Sequence, residues 1–279
     1  MKKIIALTFA LLMTASFTAC GSKTETASSS SADTSSDASS AVSEESTTET
    51  PNIDRIKASG KLVMCTNAAF PPFEYVGADG KPTGVDVEIA QAIADDLGVQ
   101  LEVVDMNFDL LIDSVKAGKA DFAAAGMTIK PERLEQVDFS DEYVQSAQYV
   151  ITKKGSDVSA DNLDGLTIAV QEATTGDFYA TDELNAKEVL RFKSGIEAGS
   201  ALSAGKCDAV IIDKLPAESI AANSNGELEV STQSLTEESY AIAVKKECPD
   251  LLEAINNVLN KLVEEGKVDA LVTKHMTQA

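Results

Sequence analysis

The stretch Lys116-Ala117-Gly118-Lys119-Ala120-Asp121-Phe122-Ala123-Ala124 is echoed by Ser203-Ala204-Gly205-Lys206-Cys207-Asp208-Ala209-Val210-Ile211-Ile212. Each copy follows an apolar segment of helical spacing, turns on Ala-Gly-Lys-x-Asp, and enters a short apolar run. Glycine just past a helix supplies the left-handed residue that ends it. The run beyond is of strand length and apolar throughout, as a buried strand is. One helix–turn–strand corner therefore occurs twice, which predicts two similar lobes with a cleft between them. Beyond the first corner lie Gly126, Thr128 and Arg133, and beyond the second lies Asp213. A cation on one wall and an anion on the other suit a zwitterionic guest.

Working outward, strands alternate with helices. Lys61–Thr66, Leu101–Val104, Asp121–Ala125 and Gln148–Thr152 read as strands; Glu74–Val76 and Thr83–Val85 flank a turn at Ala78-Asp79-Gly80-Lys81. Val87, Ile89, Ala90, Ile93, Ala94 and Leu97 mark a helix stopped by Gly98, and Leu110–Ala117 and Pro131–Glu135 read as shorter ones. The second half gives strands Leu166–Val170, Glu188–Arg191, Asp208–Ile212 and Ser239–Val244. Its helices start at Thr175 and cover Gly195–Ala204, Lys214–Ala222, Pro249–Glu264 and Lys267–His275. Such alternation implies an α/β fold, whose ligands bind beyond the carboxyl ends of strands.

The chain has 279 residues, no Trp and a formal net charge of −22, which opposes nucleic-acid binding because a phosphate backbone needs a basic face. Lys2 and Lys3 precede an apolar run from Ile4 to about Met13, too short to span a bilayer and flanked like a signal peptide. Phe17-Thr18-Ala19-Cys20 resembles a bacterial lipobox, although Phe17 stands where Leu is preferred. Residues 1–20 are thus expected to be a signal with Cys20 as its lipidation point, tying the protein to a membrane. In residues 21–51, 17 of 31 are Ser or Thr, so this segment buries too little to offset its ordering entropy and reads as a disordered tether. Its length suits a lipid-anchored protein on the outer face of a Gram-positive cytoplasmic membrane. Cys65, Cys207 and Cys248 remain, an odd number read as buried thiols, and the single His275 speaks against a His-based metal site or a Ser-His triad.

Several segments together resemble family 3 extracellular solute-binding proteins. They are Phe70-Pro71-Pro72-Phe73-Glu74, Gly84–Ala90, Ala125-Gly126-Met127-Thr128-Ile129-Lys130-Pro131-Glu132-Arg133, Val170–Gly176 and Asp208–Asp213. The likeness runs from about residue 53 to 275. It implies a two-lobed, Venus-flytrap periplasmic-binding-protein fold with two hinge crossings, near Tyr143–Gln148 and Leu235–Tyr240. Residues 53–145 plus 239–279 would form lobe 1 and 146–238 lobe 2.

The resemblance also implies capture of a free amino acid for an ABC permease and its ATPase subunits, by a monomer with no cofactor and no metal. No Gly-x-x-x-x-Gly-Lys-Ser/Thr occurs, so ATP would be hydrolysed elsewhere. Arg133 matches the α-carboxylate clamp, and its planar fork of donors fits that role. Ala125, Gly126 and Thr128 belong to the same carboxylate segment; Gly126 would open a backbone N–H to the ligand. Thr174 and Thr175 begin a helix, where an anion is favoured, and Asp213 would hold the α-ammonium. Phe70 and Phe108 match positions that sandwich the ligand side chain, and Asn67 and Gln171 match positions that select it. Both selecting residues are neutral amides, which argues against a strongly basic ligand and favours an uncharged polar or small one. Ala173 stands where the family usually has glycine. Two alternatives share the fold: a dehydratase, for which Glu74 or Glu172 would be the acid, and a sensor subunit showing its closed form to a receptor.

Overall fold

The computed structural model describes residues 52–278. The signal, lipobox and tether assignments fall on residues outside that range.

The first lobe opens with α1 (Asn52–Ser59), β1 (Lys61–Thr66), β2 (Ala69–Phe70), β3 (Glu74–Val76), β4 (Pro82–Thr83), α2 (Val85–Leu97) and β5 (Gln100–Asp105). A 3-10 turn at Phe108–Leu110 leads into α3 (Leu111–Lys116), β6 (Phe122–Ala123), α4 (Pro131–Leu134) and β7 (Val137–Phe139). The chain leaves through β8 (Val144–Ser146). It then builds β9 (Gln148–Lys153), β10 (Thr167–Gln171), α5 (Thr175–Asp182), β11 (Glu188–Phe192), α6 (Gly195–Ser203), β12 (Ala209–Asp213), α7 (Lys214–Ala222) and β13 (Leu228–Val230). It returns through β14 (Glu238–Tyr240) to β15 (Ala243–Lys245), α8 (Pro249–Glu264) and α9 (Lys267–Met276).

Two five-stranded sheets result, in the orders β5-β1-β6-β15-β7 and β11-β10-β12-β9-β13. In each, three mutually parallel strands are followed by one antiparallel strand, and the last strand, antiparallel to that one, runs with the first three. The two passages between sheets, β8 and β14, pair antiparallel as a ribbon, with Tyr240 opposite Val144.

The repeated corners carry equivalent bonds. Gly118 and Gly205 have φ of 66° and 72°. Their N–H groups donate to Val115 and Leu202 carbonyls at 3.0 and 2.9 Å. Each repeated aspartate then ties its strand to the neighbouring parallel one. Asp121 accepts from Val63 N–H at 2.7 Å, and Asp208 accepts from Thr167 N–H at 2.8 Å. The motif thus fixes register at the entry of β6 and β12.

Some boundaries differ from expectation. Helix α2 begins at Val85, where a strand end was expected, because Gly84 turns the chain there with φ 132°. The strand expected over Ser239–Val244 is two strands. Tyr240 ends the hinge ribbon, Ala241 N–H bonds to the Met127 carbonyl at 3.0 Å, and only from Ala243 does the chain join the first sheet. α1, β7 and β13 are too short or too weakly periodic to have been read from sequence, whereas β8 lies in the crossing expected near Tyr143–Gln148. No described helix is long and apolar enough to cross a membrane. Cys65, Cys207 and Cys248 are buried and free, and burial pushes the Cys65 thiol up to about 12.

Candidate functional site

The parallel strands of both sheets aim their carboxyl ends at one crevice. β12 ends on Asp213 and β10 on Gln171, while α4, after the loop that follows β6, brings Arg133. Phe70, Phe108, Ala125, Gly126, Thr128, Arg133, Gln171, Thr174, Thr175 and Asp213 line one cavity between the sheets, together with Glu74. The cavity is narrow: the centre of a water-sized sphere has about 10 Å³ in which to move.

Arg133 is buried, with 6% exposure, yet has no ion-pair partner within the described residues. Its Nη1 donates to the Thr128 carbonyl at 2.7 Å, its Nη2 donates to the Ala173 carbonyl at 3.1 Å, and its guanidinium lies 5.4 Å from the Phe108 ring centroid. These contacts aim the fork without neutralising it. Burial lowers its affinity for protons to about 10, with Glu238 and Asp213 opposing that fall. A buried cation of this kind favours an incoming anion.

Asp213 is its counterpart. It sits before α7 but makes no capping bond to that helix. Its carboxylate instead accepts from Tyr240 Oη at 2.7 Å and Gln148 Nε2 at 2.7 Å. Burial raises it to about 7, against the opposing pull of those two donors. The two bonds orient the carboxylate while leaving lone pairs for a cation. One wall therefore presents a guanidinium and the other a carboxylate.

Over residues 62–278 the chain matches the family described as bacterial extracellular solute-binding proteins, family 3. The chain belongs to this family. The arginine-binding extracellular protein ArtP of Bacillus subtilis is 30% identical over 99% of both chains. Among solved structures, a mutant of ArgBP from T. maritima superposes with a TM-score of 0.75 at 42% identity, covering 81% of this chain and 99% of that one. The amino-acid ABC transporter substrate-binding protein AbpA from Streptococcus pneumoniae, bound to L-arginine, gives 0.77 at 33% identity, covering 81% and 98%. Family members are substrate-binding transport proteins and not enzymes, so the dehydratase alternative falls. Glu172, one acid considered for it, lies outside the cavity on Lys193 at 2.5 Å.

Within this family member several residues stand differently from the sequence reading. Gly126 N–H is already taken by Asp86 Oδ2 at 2.9 Å. Glycine is required there because φ is 53° and a Cβ would sit 2.8 Å from Phe70 Cε1. Thr174 caps α5 by accepting from Asp177 N–H at 3.3 Å, and Thr175 Oγ1 accepts from Gln148 Nε2 at 3.0 Å. Ala173 has φ 64°, a left-handed conformation that favours glycine, the residue the resemblance led us to expect there. Asn67 does not line the cavity; its Oδ1 accepts from Gln171 Nε2 at 3.0 Å and its Nδ2 donates to the Met106 carbonyl at 2.9 Å. At the rim, Lys193 joins Glu172 of its own lobe to Asp109 of the other, at 2.5 and 3.2 Å. Exposed as it is, that bridge adds little energy, although it spans the two lobes.

Sequence reading missed Gln148, Tyr240 and Asp86. Gln148 is a polar side chain at the start of an apolar strand, a weak signal. Tyr240 carried none, since its role depends on the hinge ribbon bringing it to Asp213.

Proposed function

We propose that this chain captures a free amino acid between its two lobes and delivers it to the permease of an ABC importer. The observation that carries the proposal is that Arg133 and Asp213 both line one narrow cavity between the two sheets. The α-carboxylate would take the guanidinium fork, and the α-ammonium the carboxylate held by Tyr240 and Gln148. Phe70 and Phe108 would flank the side chain, and the start of α5 at Thr174 and Thr175 would add donors near the carboxylate. Because the guest touches both walls, it favours the closed form over the open one, which shifts the population toward closed. The bonds Arg133–Ala173, Asn67–Gln171 and Lys193–Asp109 would be lost on opening. Residues 53–145 with 239–279 would move as one lobe, and 146–238 as the other, about the β8–β14 ribbon.

The signal-like start and Cys20 support a lipid anchor, and the Ser/Thr-rich segment supports a tether from the outer face of a Gram-positive membrane. On this reading the protein works as a monomer. The test is calorimetry with free amino acids against their methyl esters and N-acetyl forms. Binding of a free amino acid, with loss on blocking either end, is expected; equal binding of a blocked form would contradict the proposal.

Acidification should weaken capture. Protonating Asp213 removes the charge that meets the ammonium, so this group alone should make affinity fall by up to about tenfold per pH unit below about 7. The ligand-free fold runs in the opposite sense. Asp213 and Asp86 are raised from 3.8 to about 7 and about 6, so folding takes up protons, and the stability they contribute is full below 3.8 and lost as pH rises from there to about 7. Titrations at three pH values check the first statement, and melting curves of the ligand-free protein check the second.

A further inference from the structure

The cavity contains buried polar atoms that the amino-acid backbone does not use. Glu74 is fully buried and lines the cavity, and neither carboxyl oxygen has a hydrogen-bond donor. Gln171 Oε1, also in the cavity, is buried and unpartnered. Its orientation is fixed indirectly. Asn67 Nδ2 donates to the Met106 carbonyl, so Asn67 Oδ1 faces Gln171 and requires its Nε2, leaving Oε1 turned away. The unpartnered buried atoms of the lining are therefore the Gln171 oxygen and the two Glu74 oxygens, all acceptors once Glu74 is ionised. Leaving buried acceptors unpaired is unfavourable, and a guest that satisfies them must donate. Asp213 already answers the α-ammonium, so Glu74 is a second acid in the same space.

The neutral amides at 67 and 171 no longer argue for an uncharged ligand, because they are spent largely on one another. The acid that reads the side chain lies elsewhere, in the Phe-Pro-Pro-Phe-Glu segment.

We propose that the cavity takes an amino acid with a cationic, donor-rich side chain, a guanidinium or an ammonium, which pairs with Glu74 and Gln171 Oε1 and drives the proton off Glu74. The proposal rests on reading the cleft as an amino-acid site. Behind Glu74 lies Asp86, whose Oδ1 accepts from Tyr143 Oη at 2.7 Å and whose Oδ2 accepts from Gly126 N–H at 2.9 Å. Burial, and then Asp86 with the more distant Asp105 and Asp213, hold Glu74 well above the usual carboxylate range. At rest burial and the neighbouring Asp86 favour the neutral acid at Glu74, which makes no hydrogen bond. On binding, the carboxylic acid becomes a carboxylate and one proton passes to solvent, while the ligand cation replaces its charge. A neutral side chain offers no such replacement, so Glu74 keeps its proton.

The experiment is isothermal titration of the full chain at about pH 8, where Asp213 is mostly ionised, in two buffers of different ionisation enthalpy. Arginine, lysine and glutamine are the ligands. Arginine or lysine should bind more tightly than glutamine and release about one more proton. Glu74→Gln, close in shape to the neutral acid, should weaken arginine or lysine about 100-fold or more and leave glutamine within a few-fold. Equal proton release by charged and neutral ligands overturns the inference without needing the variant to fold. Glutamine binding with no arginine or lysine binding overturns it while sparing amino-acid capture. If no amino acid binds the wild-type chain, the capture reading fails, and this inference fails with it.

Discussion

Arg133→Ala should lose amino-acid binding by roughly 10²–10³-fold, or about 3–5 kcal/mol. The magnitude follows from geometry. The guanidinium is buried, aimed by the Thr128 and Ala173 carbonyls, and free of any carboxylate partner of its own. A ligand carboxylate entering the cavity without it would be desolvated with no cation to meet it. Arg133→Lys separates charge from shape. The ammonium keeps the charge but cannot make the two parallel bonds of the fork, so an intermediate loss is expected. The ligand-free alanine variant should be no less stable than wild type, because an uncompensated buried charge has been removed. Calorimetry and melting curves on the three proteins check this, and wild-type affinity in the alanine variant would remove Arg133 from the clamp role.

The second large effect concerns the frame that holds Glu74 and Asp86. Gly84 has φ 132° and ψ −176°, a region that residues with a side chain essentially do not occupy. A Cβ there would sit 2.2 Å from the Phe73 carbonyl oxygen, 2.6 Å from its carbon and 2.9 Å from Glu74 N. All three are main-chain atoms that cannot rotate away. Gly84→Ala should therefore destabilise the protein by about 3–5 kcal/mol, combining strain and overpacking, and lower Tm by roughly 10 °C. Gly80→Ala is the control. Its φ is 78° but nothing lies within 4 Å of the added carbon, so only the left-handed penalty of about 1–2 kcal/mol applies. Equal melting of the two variants would show that the contact with Phe73 is relieved at little cost.

Much of this arrangement was legible before any coordinates. The doubled Ala-Gly-Lys-x-Asp corner encodes local events, a helix stop and a strand start, and local events leave local signals. Arg133 and Asp213 were legible because they follow those corners. What the sequence did not show was partners. Gly126 N–H looked available but belongs to Asp86, 40 positions away; Asn67 looked like a ligand contact but bonds to Gln171, 104 positions away. Such pairings arise from how the two lobes meet, and neighbouring residues carry no trace of them. Glu74 was noticed only as a possible acid. Its importance comes from complete burial without a donor, a property of packing. Tyr240, which orients Asp213, could be placed only once the strand expected over 239–244 had broken in two.

The most direct test is a crystal structure of the chain with the amino acid it binds most tightly. The α-carboxylate should lie within hydrogen-bond distance of the Arg133 guanidinium on one wall, with the α-ammonium on Asp213 of the other. A ligand held by one lobe alone, or seated with its ends away from these two side chains, would contradict the account.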